Sequence, residues 1–339
     1  MELPPALRTA IDRALTGRRA ADLAKAAAAL SQRYRDERRD GRLHVDTDED
    51  ALAYLTVRLP ATYAAVRASF ALIARARPDF APTAALDVGS GAGTALWAAA
   101  DCWPALADAL LLEASPAFRA CGEALARDAP FPRATWRTAD VATDAINGEP
   151  RDLVTLAYVL NELAPEVRPA LLQRLWQATA DTLVIVEPGT PAGWQRVIAA
   201  RTLLIEAGAR VLAPCPHAHA CPLAHLPENR SPAFRKGHVA ASAAPDWCHF
   251  AVRVARSRLH RLAKEAELSW EDEKFSYVAV SRRPPRATAA RVIARPRKAS
   301  GRVTLKLCRH DGSAGEQLFS RRDGQTFKRA WRSDWGEEF

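Results

Sequence analysis

The stretch that decides the fold is LDVGSGAGTAL, at residues 86–96. A short apolar run precedes it and an alanine- and leucine-rich run follows it, so it predicts a strand, a glycine loop and a helix in that order. Gly89, Gly91 and Gly93 carry no side chain, so the backbone can pass close to a bound cofactor. A dinucleotide-binding loop also has a glycine three residues after the second one, and Thr94 occupies that position here. The loop therefore predicts a cofactor site that differs from a dinucleotide site.

The segments beyond this loop alternate between short apolar runs and longer helical stretches. The apolar runs are AALDV, ALLLE, TWRTAD, DLVTLAY and TLVIVE, followed by ARVLAP near residues 209–214 and FSYVAVS near 275–281. This alternation predicts a parallel sheet of about seven strands with helices on both faces. We therefore expect an α/β, Rossmann-like fold over residues 81–283, with an insertion at 209–250.

Both flanks differ from this domain. Residues 1–80 contain ADLAKAAAALSQRYRDERR and ATYAAVRASFALIARAR, whose apolar residues recur at three- and four-residue spacing, so they predict a helical N-terminal module. Pro284, Pro285 and Pro296 mark a linker, and short β-like runs such as GRVTLKLC follow them. Residues 284–339 are therefore expected to form a small, basic, β-rich C-terminal appendage.

The net charge of +9 is concentrated in the C-terminal tail. The basic residues in question are Arg291, Arg295, Arg297, Lys298, Arg302, Lys306, Arg309, Arg321, Arg322, Lys328 and Arg329. Only Asp311, Glu316 and Asp323 oppose them. A genome rich in G and C would also enrich arginine, but it would not concentrate the charge in one segment. This excess of basic over acidic residues in one segment favours a surface that binds a polyanion, with RNA as the expected partner.

The sequence lacks signals for membrane insertion or secretion. No apolar run reaches the roughly 20 residues of a membrane helix, and Arg and Asp interrupt the N-terminal apolar residues. A monomeric, cytoplasmic protein without membrane contact is therefore expected. In the cytosol, clustered cysteines bind metal more often than they form disulfides.

The form D-x-G-x-G-x-G resembles motif I of class I S-adenosylmethionine-dependent methyltransferases. In that family the loop approaches the amino-acid and ribose parts of the cofactor. Glu113 ends the second predicted strand, where an acid can accept hydrogen bonds from both ribose hydroxyls, and Asp140 stands where the family places a side chain near the adenine. A helix cap at Glu113 and an empty scaffold of the same fold are the alternatives. The candidate cofactor-binding residues are Asp87, Gly89, Gly91, Gly93, Glu113 and Asp140.

The catalytic position is less well defined. Asn161 and Glu162 follow the fourth predicted strand, where substrates approach open α/β sheets, but the [DN]-P-P-[FYW] motif of base N-methyltransferases is absent. Glu162 could equally be an acid at a helix start. Pro214 and Cys215 resemble the Pro-Cys dipeptide of RNA cytosine-5 methyltransferases, in which a thiolate attacks the base. That dipeptide ends the fourth strand in those enzymes, whereas Cys215 comes far downstream, which disfavours this role.

Four of the six cysteines lie in the C-terminal half, at Cys215, Cys221, Cys248 and Cys308. Four thiolates are the usual number for a structural zinc ion or an iron–sulfur cluster. Their spacing matches neither the pairs of zinc ribbons nor the runs of ferredoxins, so zinc, a 4Fe-4S cluster and unrelated free cysteines all stay open. The histidines that add mixed-ligand possibilities are His217, His219, His249 and His310.

Seven segments together resemble the methyltransferase-like family associated with assembly of the small ribosomal subunit, which includes mitochondrial ribosomal proteins and bacterial members. They are DVGSGAGTALWAA, YVLNELA, LVIVEPGTPAGW, VLAPCPHAHACPL, DWCHF, RVARSRLHR and EDEKFSYVAVSR. The resemblance spans roughly residues 30–320. It implies a class I methyltransferase fold, binding to small-subunit rRNA and the ribosomal particle, and a 4Fe-4S cluster held by Cys215, Cys221, Cys248 and Cys308.

Two functions follow from these patterns. The first is an S-adenosylmethionine-binding, iron–sulfur-containing factor that acts on the small ribosomal subunit and methylates its rRNA. The second is a non-catalytic, RNA-binding assembly factor that uses the same fold as a docking platform. A small-molecule methyltransferase with a zinc site is a third, weaker interpretation.

Overall fold

The fold was obtained as a computed structural model, which describes residues 1–37, 40, 42–127, 129, 131, 133–224, 246–264 and 266–339. Its α-helices are α1 (Pro5–Leu15), α2 (Ala20–Arg35), α3 (Asp48–Val57), α4 (Leu59–Ala76), α5 (Thr94–Cys102), α6 (Pro116–Ala126), α7 (Arg168–Gln177), α8 (Pro191–Glu206), α9 (Arg258–Ala263) and α10 (Gly324–Arg332). Its strands are β1 (Ala84–Val88), β2 (Asp108–Glu113), β3 (Arg133–Thr138), β4 (Arg151–Ala157), β5 (Thr179–Pro188), β6 (Arg210–Ala213), β7 (Phe250–Ala255), β8 (Trp270–Ser281), β9 (Ala290–Val292), β10 (Arg297–Ala299), β11 (Arg302–Arg309) and β12 (Ala314–Ser320).

The central sheet has the strand order β3-β2-β1-β4-β5-β8-β6. Strands β1 to β5 pair in parallel, whereas β8 runs antiparallel to both β5 and β6. Parallel neighbours need crossover connections, and helices α5, α6 and α7 supply them between consecutive parallel strands. The expected α/β fold is confirmed.

An eighth strand corrects the expected count of seven. Strand β7 pairs antiparallel with the first half of β8, from Phe250 opposite Phe275 to Ala255 opposite Trp270. The sequence interpretation missed this half because its residues WEDEK are mostly charged, whereas the recognised half, FSYVAVS, is buried. Of the expected insertion at 209–250, residues 225–245 lie outside the described residues.

Successive residues along the central strands contribute to two separate apolar cores, one on each face of the sheet. Leu111 and Tyr277 belong to the core that packs against the N-terminal helices and α5, whereas their neighbours Leu112 and Val278 belong to the core under α7 and α8. Successive side chains of a strand point to opposite faces, so a sheet covered on both sides needs this continuous apolar pattern. The carboxyl edge of the sheet is then left for polar groups.

The C-terminal strands form a second sheet with its own small core. Strands β10, β11 and β12 are antiparallel, β9 also pairs with β11, and α10 packs on them. Arg291 of β9 was expected on the basic surface, and this expectation is wrong because the residue is only 1% exposed. Its guanidinium donates to the carbonyls of Pro214 and Gly336, at 2.9 and 3.1 Å, so it joins the two sheets instead of binding a partner.

A helix that crosses a bilayer needs about 20 mostly apolar residues. Among the helices of the described ranges, none combines the length and the apolar character needed for such a span.

Candidate functional site

The glycine loop joins β1 to α5 where the strand order reverses, between β1 and β4. Ligands of open α/β sheets bind in the crevice at such a point. Gly89, Gly91 and Gly93 have φ angles of +65°, +54° and +77°, which residues with a Cβ adopt only at a cost. A Cβ on Gly89 would lie 2.6 Å from Cγ2 of Val159, so the loop also packs too closely against the segment after β4 for a larger residue.

A cavity of about 930 Å³ opens beside this loop, and we call it the cofactor cavity. Of the residues expected to bind a cofactor, all but Gly93 line it. A Cβ on Gly93 would lie 3.0 Å from Cζ2 of Trp136, so this glycine allows the loop to pack on the neighbouring strands. The expected substrate-side residues Asn161 and Glu162 also line the cavity.

Glu113 holds the glycine loop in place. Its Oε2 accepts a hydrogen bond from the amide of Gly91 at 2.7 Å, and its Oε1 accepts one from the amide of Ser115 at 2.8 Å. Burial raises the pKa of the Glu113 carboxyl, and the two amide hydrogen bonds oppose this change. Each carboxylate oxygen keeps a further lone pair, so Glu113 can still accept a hydroxyl from a ligand.

The two aspartates of the expected site lie at different depths. Asp87 is 4% exposed, and its Oδ1 accepts a hydrogen bond from Oγ1 of Thr155 at 2.6 Å. Burial raises its pKa to about 7. Its Oδ2 is buried without a hydrogen-bond partner among the described residues. Asp140 is exposed at the rim, where its Oδ1 accepts from the amide of Ala142 at 2.9 Å.

Asn161 and Glu162 lie in a turn after β4. Glu162 is not a helix-start acid, because the next helical segment among the described residues is the short 3₁₀ helix Pro165–Val167. Burial, followed by the charges of Glu113 and Glu187, raises the pKa of Glu162 to about 8. A carboxyl group with such a pKa changes protonation near neutral pH, which suits either an acid–base role or the neutralisation of a cationic ligand.

A buried ion-pair network beneath the cavity escaped the sequence interpretation. Glu187, 0% exposed at the end of β5, accepts a hydrogen bond from Nε of Arg196 at 2.7 Å. The other two guanidinium nitrogens of Arg196 donate to Glu37, at 3.1 and 3.2 Å. Burial raises the pKa of Glu187 to about 7, although Arg196 counteracts this. The network ties the segment after α2 to the sheet, and the spacing of these residues along the chain gives no signal of it.

The N-terminal helices close the outer side of the cofactor cavity. Tyr34, His44, Tyr54 and Arg58 all line it. Oη of Tyr54 lies 3.3 Å from Oγ1 of Thr94, the first residue of α5, so α3 is hydrogen-bonded to the helix that follows the glycine loop. The predicted helical module therefore contributes directly to the site, which its amphipathic pattern alone did not indicate.

The four C-terminal cysteines come from separate segments and line one small cavity, which we call the cysteine cavity. Cys221 and Cys308 are buried, and Cys215 and Cys248 are half-buried. Burial raises the pKa of the Cys308 thiol to about 12, and the charges of Cys215 and Cys221 add to this change. Among the described residues, no group of three or more histidine, cysteine, aspartate or glutamate side chains is arranged so that it could hold a metal ion.

Backbone contacts fix the loop that carries the first two cysteines. Nη2 of Arg201 on α8 donates to the carbonyls of His217 and His219, both at 2.8 Å. Of the four candidate histidines, His217 lines the cysteine cavity, and its Nε2 lies 3.3 Å from Sγ of Cys308. Cys215 lines this cavity and not the cofactor cavity, which further disfavours the catalytic role of the Pro-Cys dipeptide.

The strand order, the antiparallel strand β8 and the glycine loop at the switch point define a class I methyltransferase-like fold. The family model described as mitochondrial small ribosomal subunit Rsm22 matches residues 48–339. The chain belongs to this family, which confirms the resemblance seen in the seven sequence segments.

The chain is also similar to individual proteins. The human protein named ribosome assembly protein METTL17, mitochondrial, is 29% identical over 315 residues, covering 86% of this chain and 62% of the human protein. The chain thus spans about three fifths of that relative. Among solved structures, magnesium protoporphyrin IX methyltransferase from Synechocystis has 14% identity and a TM-score of 0.41, covering 75% of this chain and 91% of its own. An O-methyltransferase family protein from Burkholderia thailandensis has 16% identity and a TM-score of 0.41, covering 54% and 63%.

Proposed function

We propose that this protein is an S-adenosylmethionine-binding, iron–sulfur-containing factor that acts on the small ribosomal subunit and methylates its rRNA. The observation that carries the cofactor part is the cavity of about 930 Å³ at the switch point, bordered by the glycine loop. The family and the name of the human relative support the ribosomal part. Methyl transfer is the most specific element of the proposed function.

Residues of the cofactor cavity would bind the ribose of the cofactor and would attract its positive charge. When bound, S-adenosylmethionine supplies an electrophilic methyl group. Glu113, fixed by the amides of Gly91 and Ser115, offers its remaining lone pairs to ribose hydroxyls. Asp87 and Glu162 provide carboxyl groups that favour a cationic ligand when they are ionised, and their raised pKa values of about 7 and about 8 make this charge depend on pH near neutrality. The protein accelerates transfer mainly by holding the donor and the acceptor in the reactive orientation.

The donor set of the cysteine cavity fits a 4Fe-4S cluster. Cys215, Cys221, Cys248 and Cys308 would each supply one thiolate, the usual complement for such a cluster. A single zinc ion requires four sulfurs at about 2.3 Å from one centre, whereas a cluster separates its thiolates by its own width. The resemblance of the sequence segments implies the cluster at these four positions, and zinc is the alternative. The cluster would join the loop after β6 to the C-terminal sheet.

The C-terminal appendage supplies the surface for RNA. Its exposed basic residues on β11, α10 and the segment between β12 and α10 are Arg302, Arg321, Arg322, Lys328, Arg329 and Arg332. Trp331, 39% exposed, lies among them. Positive charge tracks a phosphate backbone and an exposed indole stacks on unpaired bases, so this face suits single-stranded RNA.

A non-catalytic assembly factor is the second candidate. The observation that favours it is the segment after β4, Asn161 to Ala164, which lacks the [DN]-P-P-[FYW] acceptor motif of base N-methyltransferases. In this role the fold and the cluster would shape an RNA-docking platform without methyl transfer.

Cofactor binding is tested by isothermal titration calorimetry with S-adenosylmethionine. We expect Gly91→Arg to abolish binding, because the new side chain would enter the cavity. Gly315→Arg is the matched control, since Gly315 lies in β12 and a Cβ at this position would meet no atom within 4 Å. Failure of the unaltered protein to bind the cofactor would refute this part of the proposal.

The cluster is tested by anaerobic purification. We expect a brown protein that contains iron and sulfide, and loss of both in Cys221→Ser. Cys121→Ser is the matched control, because Cys121 lies on α6 and does not line the cysteine cavity. Colourless protein with stoichiometric zinc would contradict the cluster.

Methyl transfer and docking are separated by mapping rRNA modifications in a deletion strain. A lost methyl mark that the unaltered gene restores, and the Gly91→Arg gene does not, supports the enzyme. Defective small subunits with every mark intact support the platform. Fractionation of the same strain tests the expected cytoplasmic residence.

A further inference from the structure

Five residues that line the cofactor cavity are not among those assigned to the cofactor, and we call the part that they line the chamber: Tyr34, His44, Arg58, Tyr158 and Glu273. Tyr158, the first residue after β4, has a φ of +60°. Residues with a Cβ rarely occupy this left-handed region, and such strain is concentrated at functional sites. The amide of Tyr158 donates to the carbonyl of Val186 at 2.7 Å, so the strained backbone is anchored to β5.

The phenol of Tyr158 takes part in a polar network from three distant segments. Its Oη donates a hydrogen bond to Oε1 of Glu273 on β8, at 2.9 Å. Burial raises the pKa of Tyr158 well above its ordinary value, and Glu273 raises it further, so the phenol keeps its proton. Burial lowers the pKa of the Arg58 guanidinium, but Glu273 and Tyr158 outweigh burial and give a net increase. Arg58 therefore remains a cation close to this pair.

Flat side chains form one wall of the same chamber. The rings of Tyr34 and His44 are stacked, with centroids 4.8 Å apart and 9° between their planes. Cζ of Arg58 lies 5.8 Å from the centroid of Tyr34. Planar groups of this kind stack on nucleobases without regard to their sequence, so the wall suits a planar ligand.

The chamber is adjacent to the glycine loop. A Cβ on Gly89 would lie 2.6 Å from the side chain of Val159, the residue after Tyr158. Both segments line the cavity of about 930 Å³, which is near the upper end of the roughly 300–1,000 Å³ found for ligand pockets. There is room for a second planar group beside a cofactor.

We propose that Tyr34, His44, Arg58, Tyr158 and Glu273 form the acceptor subsite, and that it binds a guanine base of an RNA chain. Because the phenol of Tyr158 donates its hydrogen bond to Glu273, the pair presents oxygen acceptors to a ligand, while Arg58 presents N–H donors. Guanine alone among the RNA bases carries two adjacent N–H donors beside a carbonyl oxygen on one edge. Arginine commonly pairs with that carbonyl oxygen, O6.

This inference rests on the proposed binding of S-adenosylmethionine in the same cavity. The test is therefore calorimetric binding of guanosine and inosine 5′-monophosphate in the presence of saturating S-adenosylhomocysteine. Inosine lacks the exocyclic amino group of guanine and so removes one donor. We expect the guanosine nucleotide to bind about tenfold more tightly, the ratio expected for a hydrogen bond to a charged group.

Substitutions identify the residues responsible. Glu273→Gln should weaken guanosine nucleotide binding by about tenfold or more, and Tyr158→Phe should weaken it several-fold, because both disturb the acceptor pair. Glu123→Gln, an exposed residue of α6, is the matched control and should change nothing. Melting temperature and affinity together distinguish a structural role of Glu273 from a role in binding. If the role is structural, Glu273→Gln lowers the melting temperature and leaves the affinity of the folded protein unaltered. That outcome would overturn the subsite.

Two further outcomes separate the possible failures. If S-adenosylhomocysteine binds but the two nucleotides bind equally, the guanine subsite is wrong and the cofactor proposal stands. If S-adenosylhomocysteine does not bind, the proposed cofactor function fails. An RNA hexamer with a single guanosine should bind more tightly than the free nucleotide, and the opposite order would exclude RNA as the source of the base.

Discussion

The indole nitrogen of Trp247 donates a hydrogen bond to the backbone oxygen of Gly189, with 2.9 Å between the two atoms. Trp247 precedes Cys248 of the cysteine cavity, and Gly189 lines the cofactor cavity. Helix α8 begins beside the cofactor cavity at Pro191 and carries Arg201 to the loop that bears the first two cysteines. One hydrogen bond and one helix therefore connect the two cavities through fixed geometry.

Trp247→Phe is expected to weaken S-adenosylmethionine binding up to about fivefold. The substitution keeps a ring but removes the donor, and a lost hydrogen bond of this kind costs about 1 kcal/mol. Without this hydrogen bond, Gly189 and the part of the cofactor cavity that it lines can shift. Calorimetry measures the affinity, with Trp331→Phe on the exposed face of α10 as control. Equal affinities in both variants would show that the two cavities are independent.

Arg196→Met is expected to lower the free energy of unfolding by about 3–5 kcal/mol, because it leaves the buried carboxylate of Glu187 without its charged partner. Urea unfolding measures the loss. Arg253→Met is the control, since Arg253 forms its ion pair with Asp272 at an exposed position and should cost at most about 1 kcal/mol. Adding Glu187→Gln to Arg196→Met should recover part of the stability, and no recovery would argue against an electrostatic cause.

The pKa of Glu162, raised to about 8, predicts a pH-dependent preference for the cationic cofactor over its neutral product. The folded protein keeps this group protonated above the ordinary pKa of a glutamate. Its contribution to stability is therefore present at low pH and is lost as the pH rises through about 8. The ionised carboxylate favours a sulfonium cation, so the ratio of the affinities for S-adenosylmethionine and S-adenosylhomocysteine should increase between about pH 6.5 and about pH 9. Calorimetry at both values measures this ratio. Glu162→Gln should reduce the increase to the part that Asp87 contributes, and an unchanged slope in that variant would assign the increase to other groups.

Lys328→Gln is expected to weaken binding to single-stranded RNA and to reduce its salt dependence. Each lost phosphate contact lowers the slope of log K against log salt by about 0.7 for single strands. Fluorescence anisotropy over a salt series measures both quantities. Lys25→Gln, an exposed position on α2, is the matched control. Similar slopes for the two variants would place the RNA surface outside α10.

Trp331→Ala is expected to weaken the same RNA complex by about 1–3 kcal/mol without changing the salt slope, because stacking involves no phosphate. The exposed indole lies with its ring 5.9 Å from Nζ of Lys298, so aromatic and cationic groups share this face. A change in slope together with affinity would indicate that the variant had lost cationic contacts instead.

The positions of the seven recognised strands and the glycine loop could be predicted because both depend on local patterns. Apolar runs determine where strands form, and the tight loop at residues 86–96 requires positive φ angles that favour glycine. The first half of β8 escaped prediction because its charged residues reach solvent at a sheet edge. For Arg291, the basic composition of the tail predicted a position on the surface. The side chain is instead buried, because its guanidinium donates hydrogen bonds to carbonyls of two distant segments.

The sequence by itself determined the class of fold, the family and the identity of the four cysteines, because motif spacing and residue type carry that information. Only the tertiary structure decided which distant groups meet. It brought the cysteines to one cavity, joined Glu37, Arg196 and Glu187 beneath another, and placed Tyr158 beside Glu273. Such contacts depend on how sheet, helices and loops pack, and residues far apart in the chain leave no periodic pattern that predicts them.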